Sequence, residues 1–577
     1  MQQAAGFTHK IRSIFTFERI FILILILAFI LRFWYLDLKL LHHDEAIHSW
    51  FSYELLTRGA WQYDPSYHGP FLYFVTTGMF ALIGPSDFAA RLLPSLSGFL
   101  VIPLVYCIYQ LGYINKNQTL VAAFFLAISP DMIYFSRFLR HDIFMLFFTM
   151  LLLVAVLYWF ERHQTRFAVL AAGAAAGALS CKEEMPFIFM VFVLLFSFAA
   201  WKGRFTLPPR WKADLVLFVV LIVAIMSVLY SAFFFHIDTL IGQNFGITAQ
   251  GLHFEANTTG WYRAIEHWTA MHNQQRLGGP MYFYIPLFLL YELPIFILAL
   301  IGTLRFITAG LHPIRFMKRV MNWIRDRHFA LSVRDLAAIS RQDLLAGQER
   351  DAKSEEFFRF CICWMLATMA FYAYVGEKVP WLIIAQLLPM CFVATYNLNW
   401  QKTAFALAGC IFLIVMTWHV AFVPVDINEP IVQVQNSEEM REVMALMDAS
   451  DRVVIASKDY WPLPWYYRGD IWKEKIDFYG DRADVETLTR NNPGVIILHD
   501  TESYPSIEGY QKKTYRLSYW FSFYDNEKRL PEYYLRRDGK IGSINIDVFT
   551  PLPAYALPPD VMPADMIPPD VLPVNGT

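Results

Sequence analysis

The sequence predicts a polytopic α-helical membrane protein with a soluble α/β domain at its C-terminus. Apolar residues make up 56% of the 577, and the mean hydropathy is +0.36, as expected of a chain dissolved largely in lipid. They gather into about eleven stretches long enough to serve as transmembrane helices, at 18–37, 90–112, 118–134, 142–160, 166–181, 184–201, 213–235, 281–307, 357–375, 379–397 and 403–423. Beyond residue 424 no such stretch recurs, and short β-like runs alternate with polar segments.

The first stretch is entered from a basic end (Lys10, Arg12, Arg19) and left through Arg32, Phe33 and Trp34. It is expected to be a retained anchor and not a cleaved leader, because it is long and lacks a small-residue cleavage site. Phe71–Gly84 is apolar but short for a hydrocarbon core of about 30 Å, so it reads as a juxtamembrane helix. Leaving it out of the membrane puts Lys116, Arg162, Arg166, Lys202, Arg204, Arg210, Lys212 and the nine Lys/Arg of 311–353 on one side, with the N-terminus. That side is the cytoplasmic one by the positive-inside rule. Residues 1–423 then form the transmembrane domain, with outer loops 38–89 and 236–280 and a cytoplasmic loop at 308–356. Residues 424–555 form an extracytoplasmic α/β domain, with strands expected near Arg452–Ala456 and Gly494–Leu498 and a helix near Ser437–Met447. Residues 556–577, where Pro-Pro-Asp-Val occurs twice, form a proline-rich disordered tail.

The net charge of −2 points to no nucleic-acid partner. Cys361 and Cys363 have the spacing of neither a zinc site nor a redox pair, and no cysteine lies in the C-terminal domain, so disulfides do not hold it together.

The titratable residues are distributed unevenly. The outer face collects His42, His43, Asp44, Glu45, His48, Asp64, His68 and Arg91, then Arg137, Arg140, His141 and Asp142, then Lys182, Glu183 and Glu184. His253, Glu255, His267, His272 and Arg276 follow, with Glu377-Lys378 last. Ionisable groups beside lipid are expensive to hold and mark function by default. Carboxylates converging with histidines can ligate a divalent cation or act as a general base. Arginine and lysine at membrane depth suit a phosphate or pyrophosphate. Together they point to a substrate that is part lipid and part anion. Each group also has a plainer reading. The His42–Glu45 tetrad can be a hydrated interfacial loop, and Arg137 and Arg140 can snorkel to headgroups. Glu377-Lys378 can be a helix-capping pair, and the loop histidines can be surface residues. Asn117 and Asn257 carry short Asn-X-Thr motifs of low specificity.

The order of the motifs resembles a known superfamily. His43-Asp44-Glu45, Tyr67-His68-Gly69-Pro70-Phe71-Leu72-Tyr73 and Ala90-Arg91-Leu92-Leu93-Pro94 are similar to the opening of GT-C glycosyltransferases. Ser136-Arg137-Phe138-Leu139-Arg140-His141-Asp142, Cys181-Lys182-Glu183 and Glu377-Lys378-Val379-Pro380-Trp381 are similar to its later motifs. The likeness is to the protein O-mannosyltransferase and lipid A aminoarabinose transferase branches. Within the superfamily it is greatest to the flippase-associated membrane proteins of archaeal-type N-glycosylation clusters. It covers roughly residues 15–400.

The resemblance implies a GT-C-type fold and transfer of a sugar from a polyprenyl-phosphate-linked donor to an extracytoplasmic lipid, glycan or protein acceptor. It makes Asp44 the base or acceptor-positioning acid, with Glu45 beside it and Asp142 as the second-loop acid. Arg137, Arg140, Lys182 and Lys378 would meet the donor phosphate. A divalent metal, the one cofactor implied, would sit at His68 with His43, although Gly69 stands where the aminoarabinose transferases have Lys. Glu377, Trp381 and, in the C-terminal domain, Trp465 are candidates for acceptor or sugar contacts. The alternative reading is a non-catalytic protein that binds lipid-linked glycan or assists its flipping.

Overall fold

The protein's structure, a computed structural model, describes residues 16–59, 61–242, 246–248, 251–253, 258–274, 278–311, 341–500, 504 and 506–552. The proline-rich tail, Glu255, Asn257, Arg276 and most of the loop 308–356 lie outside the described residues. The chain forms two compact units: Met1–Leu38 with Phe51–Val423, and Lys39–Trp50 with Pro424–Thr577. The second unit thus takes in a segment that the sequence assigns to the first outer loop.

The first unit is helical. Among the described residues five helices are long and apolar enough to cross a membrane: Asp87–Gln110, His141–Arg162, Trp211–Tyr230, Asp351–Tyr374 and Trp400–Phe422. Two bent pairs, Lys116–Ile128 with Pro130–Ser136 and Tyr284–Tyr291 with Leu293–Thr308, raise the number to seven if each is one span. The chain is an integral membrane protein. Phe71–Ile83 is a helix of 13 residues, about 20 Å long at 1.5 Å per residue, and so does not reach across a hydrocarbon core.

The local signals are those of the sequence. Thr16 and Ser86 cap the helices that follow them, and Asn115 with Gln118 forms a reciprocal capping box. Helices His141–Arg162 and Thr165–Leu179 form a hairpin whose turn includes His163 in the left-handed conformation. The second helix is built of alanine and glycine, so the two approach closely. A methyl group added to Gly177 would lie 2.6 Å from the Phe148 ring. Folding back in this way sets the residues after Leu179 beside the first turn of the helix that begins at His141.

The second unit contains a six-stranded mixed sheet in the order Gln435–Asn436, Tyr510–Phe521, Ile541–Pro551, Val495–His499, Val453–Ala456, Ile476–Phe478. The last three strands are parallel and the other pairings antiparallel. Val453, Ile455, Val495 and Ile497 join one core cluster, and Val454, Ala456, Ile496 and Leu498 another. Burial on both faces explains why these strands read as unbroken apolar runs without alternation.

Candidate functional site

Lys182 lies in the break between helices Thr165–Leu179 and Met185–Trp201, and Asp142 lies in the first turn of His141–Arg162. The hairpin brings them together, with Lys182 Nζ 2.9 Å from Asp142 Oδ1 and 3.5 Å from Glu184 Oε1. Arg140 Nε approaches Asp142 Oδ2 at 3.4 Å. All four side chains are buried. Burial alone would push the Lys182 ammonium down. The Asp142 and Glu184 carboxylates outweigh it and hold the group above its ordinary value. The Arg140 guanidinium carbon lies 3.7 Å from the centre of the Trp381 ring, leaving the edge of the guanidinium plane as its hydrogen-bonding side. Tyr372 donates to Glu184 Oε1 at 3.2 Å.

Beside this group, His68 Nδ1 and Glu183 Oε2 lie 2.8 Å apart, and Tyr63 donates to Glu183 Oε1 at 3.2 Å. Burial would raise the Glu183 carboxyl, but His68 outweighs it and holds the group below its ordinary value. A backbone zipper positions the pair: Gly69 N–H donates to the Cys181 carbonyl at 3.0 Å and Phe71 N–H to the Ser180 carbonyl at 3.1 Å. Only glycine fits at residue 69, since a Cβ there would lie 2.2 Å from the Ser180 oxygen. His141 Nε2 is 3.1 Å from the Gly69 carbonyl and ties the same strap to the helix that carries Asp142.

Two expected phosphate ligands are engaged by backbone carbonyls. Arg137 donates to the carbonyls of Leu31, Arg32, Trp34 and Tyr35 at the end of helix Phe17–Phe33, and its guanidinium sits 4.7 Å from the centre of the Phe422 ring. The ammonium of Lys378 donates to the carbonyls of Tyr372, Ala373 and Val375 at the end of helix Arg341–Tyr374. Both do the work of C-caps, satisfying carbonyls that a helix end leaves bare. The neighbouring Gly376 N–H is taken up by His272 Nδ1 at 3.2 Å. Glu377 is half-buried.

His43, Asp44 and Glu45 belong to the second unit and form the first turn of helix His43–Arg58. His42 caps that turn. Its Nδ1 accepts from Asp44 N–H at 3.0 Å, while the buried Glu45 carboxylate accepts from His42 N–H at 2.9 Å. This is a capping box with imidazole in place of a hydroxyl. Because Nδ1 accepts, Nε2 carries the hydrogen and donates to the Gln433 carbonyl. Burial pushes the His43 imidazole below its ordinary value, against the pull of the Asp44 and Asp459 carboxylates. Asp44 is half-buried.

Trp465, a candidate for acceptor or sugar contact, is fully buried under the Arg468 guanidinium, 4.1 Å from the ring centre. Its burial is a tertiary effect that a short polar-aromatic stretch does not announce. His68 is engaged by Glu183, His43 belongs to the other unit, and no group of three or more His, Cys, Asp or Glu that could hold a metal ion occurs among the described residues.

The signal for Glu183 and Glu184 was present in the sequence, as two acids following Lys182 in an otherwise apolar stretch. Tyr63 and Tyr372 gave no signal, because tyrosines are common throughout the helical unit and their partners are distant in sequence.

The family described as dolichyl-phosphate-mannose-protein mannosyltransferase matches residues 67–230, the stretch that holds His68, Arg140, Asp142 and Lys182. No curated protein sequence matches the chain. Among solved structures, ArnT from Cupriavidus metallidurans, bound to undecaprenyl phosphate, is similar at a TM-score of 0.51 and 13% identity. The match covers 91% of this chain and 97% of that one. The Archaeoglobus fulgidus oligosaccharyltransferase tethered to an acceptor peptide gives a TM-score of 0.48 at 12% identity, over 84% of this chain and 69% of that one. The chain has the fold of the GT-C membrane glycosyltransferases.

Proposed function

We propose that the protein transfers a sugar from a polyprenyl-phosphate-linked donor to a lipid, glycan or protein acceptor at the outer face of the plasma membrane. The observation that carries this reading is the buried Asp142–Lys182–Arg140 group, set within the family-matched stretch. The reading includes eleven membrane crossings, a cytoplasmic N-terminus and an extracytoplasmic C-terminal unit, as the distribution of Lys and Arg argues.

The chemistry follows from the residues. The acceptor attacks the anomeric carbon, the bond from that carbon to the phosphate oxygen breaks, and the phosphate leaves with the electron pair. Lys182 and Arg140 supply positive charge where that negative charge develops, the form of stabilisation worth most in a water-poor site. Asp142 acts as a positioning residue, since it holds both cations. Asp44 is proposed as the base that takes the acceptor proton, with Glu45 supporting it by closing the cap of the same helical turn. No step runs through a metal. Arg137 and Lys378 are proposed as caps of helix ends and not as phosphate ligands.

In a second reading the lipid-linked glycan is bound and not cleaved, and the two readings part at Asp44. Glu45 accepts from its own helix's cap and is fully buried, so Asp44 is the tetrad's remaining candidate acid. The test is turnover of polyprenyl-phosphate sugars by the purified protein in lipid nanodiscs. D44N is expected to abolish transfer while retaining donor binding, and K182M to weaken donor binding. Binding without any transfer by the wild type, over a panel of sugars and acceptors, would favour the second reading.

A further inference from the structure

Two helix breaks in the membrane unit meet at a pair of buried acids. Helices Lys116–Ile128 and Pro130–Ser136 bend by 55° around Ser129, and Tyr284–Tyr291 and Leu293–Thr308 bend by 115° around Glu292. Glu292 Oε1 accepts from the Ser129 hydroxyl at 2.6 Å and from Asp131 N–H at 3.0 Å. One break thereby supplies the acceptor for the donors exposed at the other. Since Glu292 Oε1 holds the Asp131 N–H, the two carboxyls are neighbours. Asp131 is 1% and Glu292 0% exposed.

The remaining oxygens pose a problem in charge. Asp131 Oδ2 and Glu292 Oε2 have no hydrogen-bond partner among the described residues. The groups facing the pair do not neutralise it. Arg32, on the neighbouring helix Phe17–Phe33, donates to the Leu126 and Ala127 carbonyls at 2.7 and 3.2 Å. Thr417 donates to the Ile128 carbonyl at 2.8 Å. Cys391, a buried free thiol, also faces Glu292. Two ionised carboxylates in contact, out of water and without a cation, would carry both a desolvation penalty and mutual repulsion. A single proton ends the repulsion and halves the buried charge, as it does where two carboxyls share one site.

We propose that Asp131 and Glu292 bind one proton between them, and that this proton pins the two helix breaks together. The proton belongs to the pair and not to either residue. When it is released to solvent, two like charges are left in contact and the junction loosens. The pair is a proton site of the fold, separate from the Asp142–Lys182 group and independent of the reading of its function.

Infrared spectroscopy of the full chain in nanodiscs tests this directly, because a protonated carboxyl and a carboxylate absorb at different frequencies. The wild type at neutral pH is expected to show a protonated-carboxyl band that shifts in heavy water. D131N and E292Q are each expected to lose it. Gln at 292 retains an acceptor for Ser129 and gains an amide donor toward Asp131, so E292Q keeps the contact without the proton. Should one variant fail to fold, loss of the band in the other decides. Persistence well above pH ~4.3, where exposed carboxyls ionise, supports the site, and disappearance together with them overturns it. A band untouched by both substitutions, or a wild type that loses thermal stability when Na+ and K+ are removed, would also overturn it, the latter by showing that a metal cation and not a proton holds the pair.

Discussion

Lys182 Nζ and Asp142 Oδ1 lie 2.9 Å apart with side chains 4% and 2% exposed, the tightest contact of a charge cluster that water scarcely reaches. A buried pair of this kind is worth little against a well-packed apolar substitute, but breaking it by removing one partner is severe, because the other charge is stranded. K182M should therefore destabilise the protein by about 3–5 kcal/mol. K182M/D142N should recover part of that loss, since the asparagine carries no charge to strand. Thermal unfolding of the two single variants and the double variant measures the coupling. Additive effects would mean that the contact contributes nothing of its own.

The strap through Gly69 gives a steric prediction. G69A would drive a methyl group into the Ser180 carbonyl oxygen, at 2.2 Å, and must separate the strap from the Ser180–Cys181 backbone. A loss of about 1–3 kcal/mol is expected, as for overpacking elsewhere, together with displacement of His68 from Glu183. Faster hydrogen exchange at the Gly69 and Phe71 amides would register the opening. Unchanged protection would contradict the zipper.

Acid should weaken the neighbouring pair. The Glu183 carboxyl is held below its ordinary value by His68, so its contribution to stability is present above the unfolded value of about 4.3 and is lost as pH falls through the lower folded value. Lys182 behaves oppositely, because its folded value is raised. Its contribution is complete below the unfolded value of about 10.4 and is lost as pH rises through the folded one. E183Q should flatten the acid limb of the unfolding temperature against pH and leave the alkaline limb unchanged. A profile with the same acid limb as the wild type would refute the assignment.

Arg137 separates helix capping from substrate binding. Its guanidinium serves carbonyls at the end of helix Phe17–Phe33, so R137A should cost about 3 kcal/mol of stability, the scale of charged hydrogen bonds. In the fraction that remains folded, donor affinity should be unchanged. A tenfold or greater weakening of donor binding without loss of stability would restore Arg137 as a phosphate ligand.

The sequence made the cluster partly legible, offered capping as one reading of Glu377-Lys378, and did not announce the cap that Arg137 supplies. Asp142, Lys182 and Arg140 stood out because a charge in an apolar run has few structural excuses, and the structure brings these three together. Arg137 and Lys378 stood out for the same reason yet turn inward to backbone carbonyls, Arg137 to those of a helix far back in the chain and Lys378 to those of the helix that ends just before it. The burial of Trp465 was not announced, because exposure follows from tertiary packing and not from the residue's own chemistry. In the C-terminal unit the parallel strands Val453–Ala456 and Val495–His499 were evident from their apolar runs. The long pair Tyr510–Phe521 and Ile541–Pro551 was missed, because its solvent-facing lysines and polar residues blur the strand period.

The allotment of Lys39–Trp50 to the second unit has a consequence for the order of synthesis. These residues leave the ribosome near the start of translation, but the groups that receive them emerge last: Leu40 N–H awaits Glu438, Leu41 N–H awaits the Tyr466 hydroxyl, and the Leu41 carbonyl awaits the Asn436 amide. The turn that bears Asp44 is therefore completed only after every helix of the first unit has been made. A chain ended at Val423 would keep the tetrad in its sequence while lacking the surface that shapes it, so the first outer segment cannot be tested apart from the far end of the polypeptide.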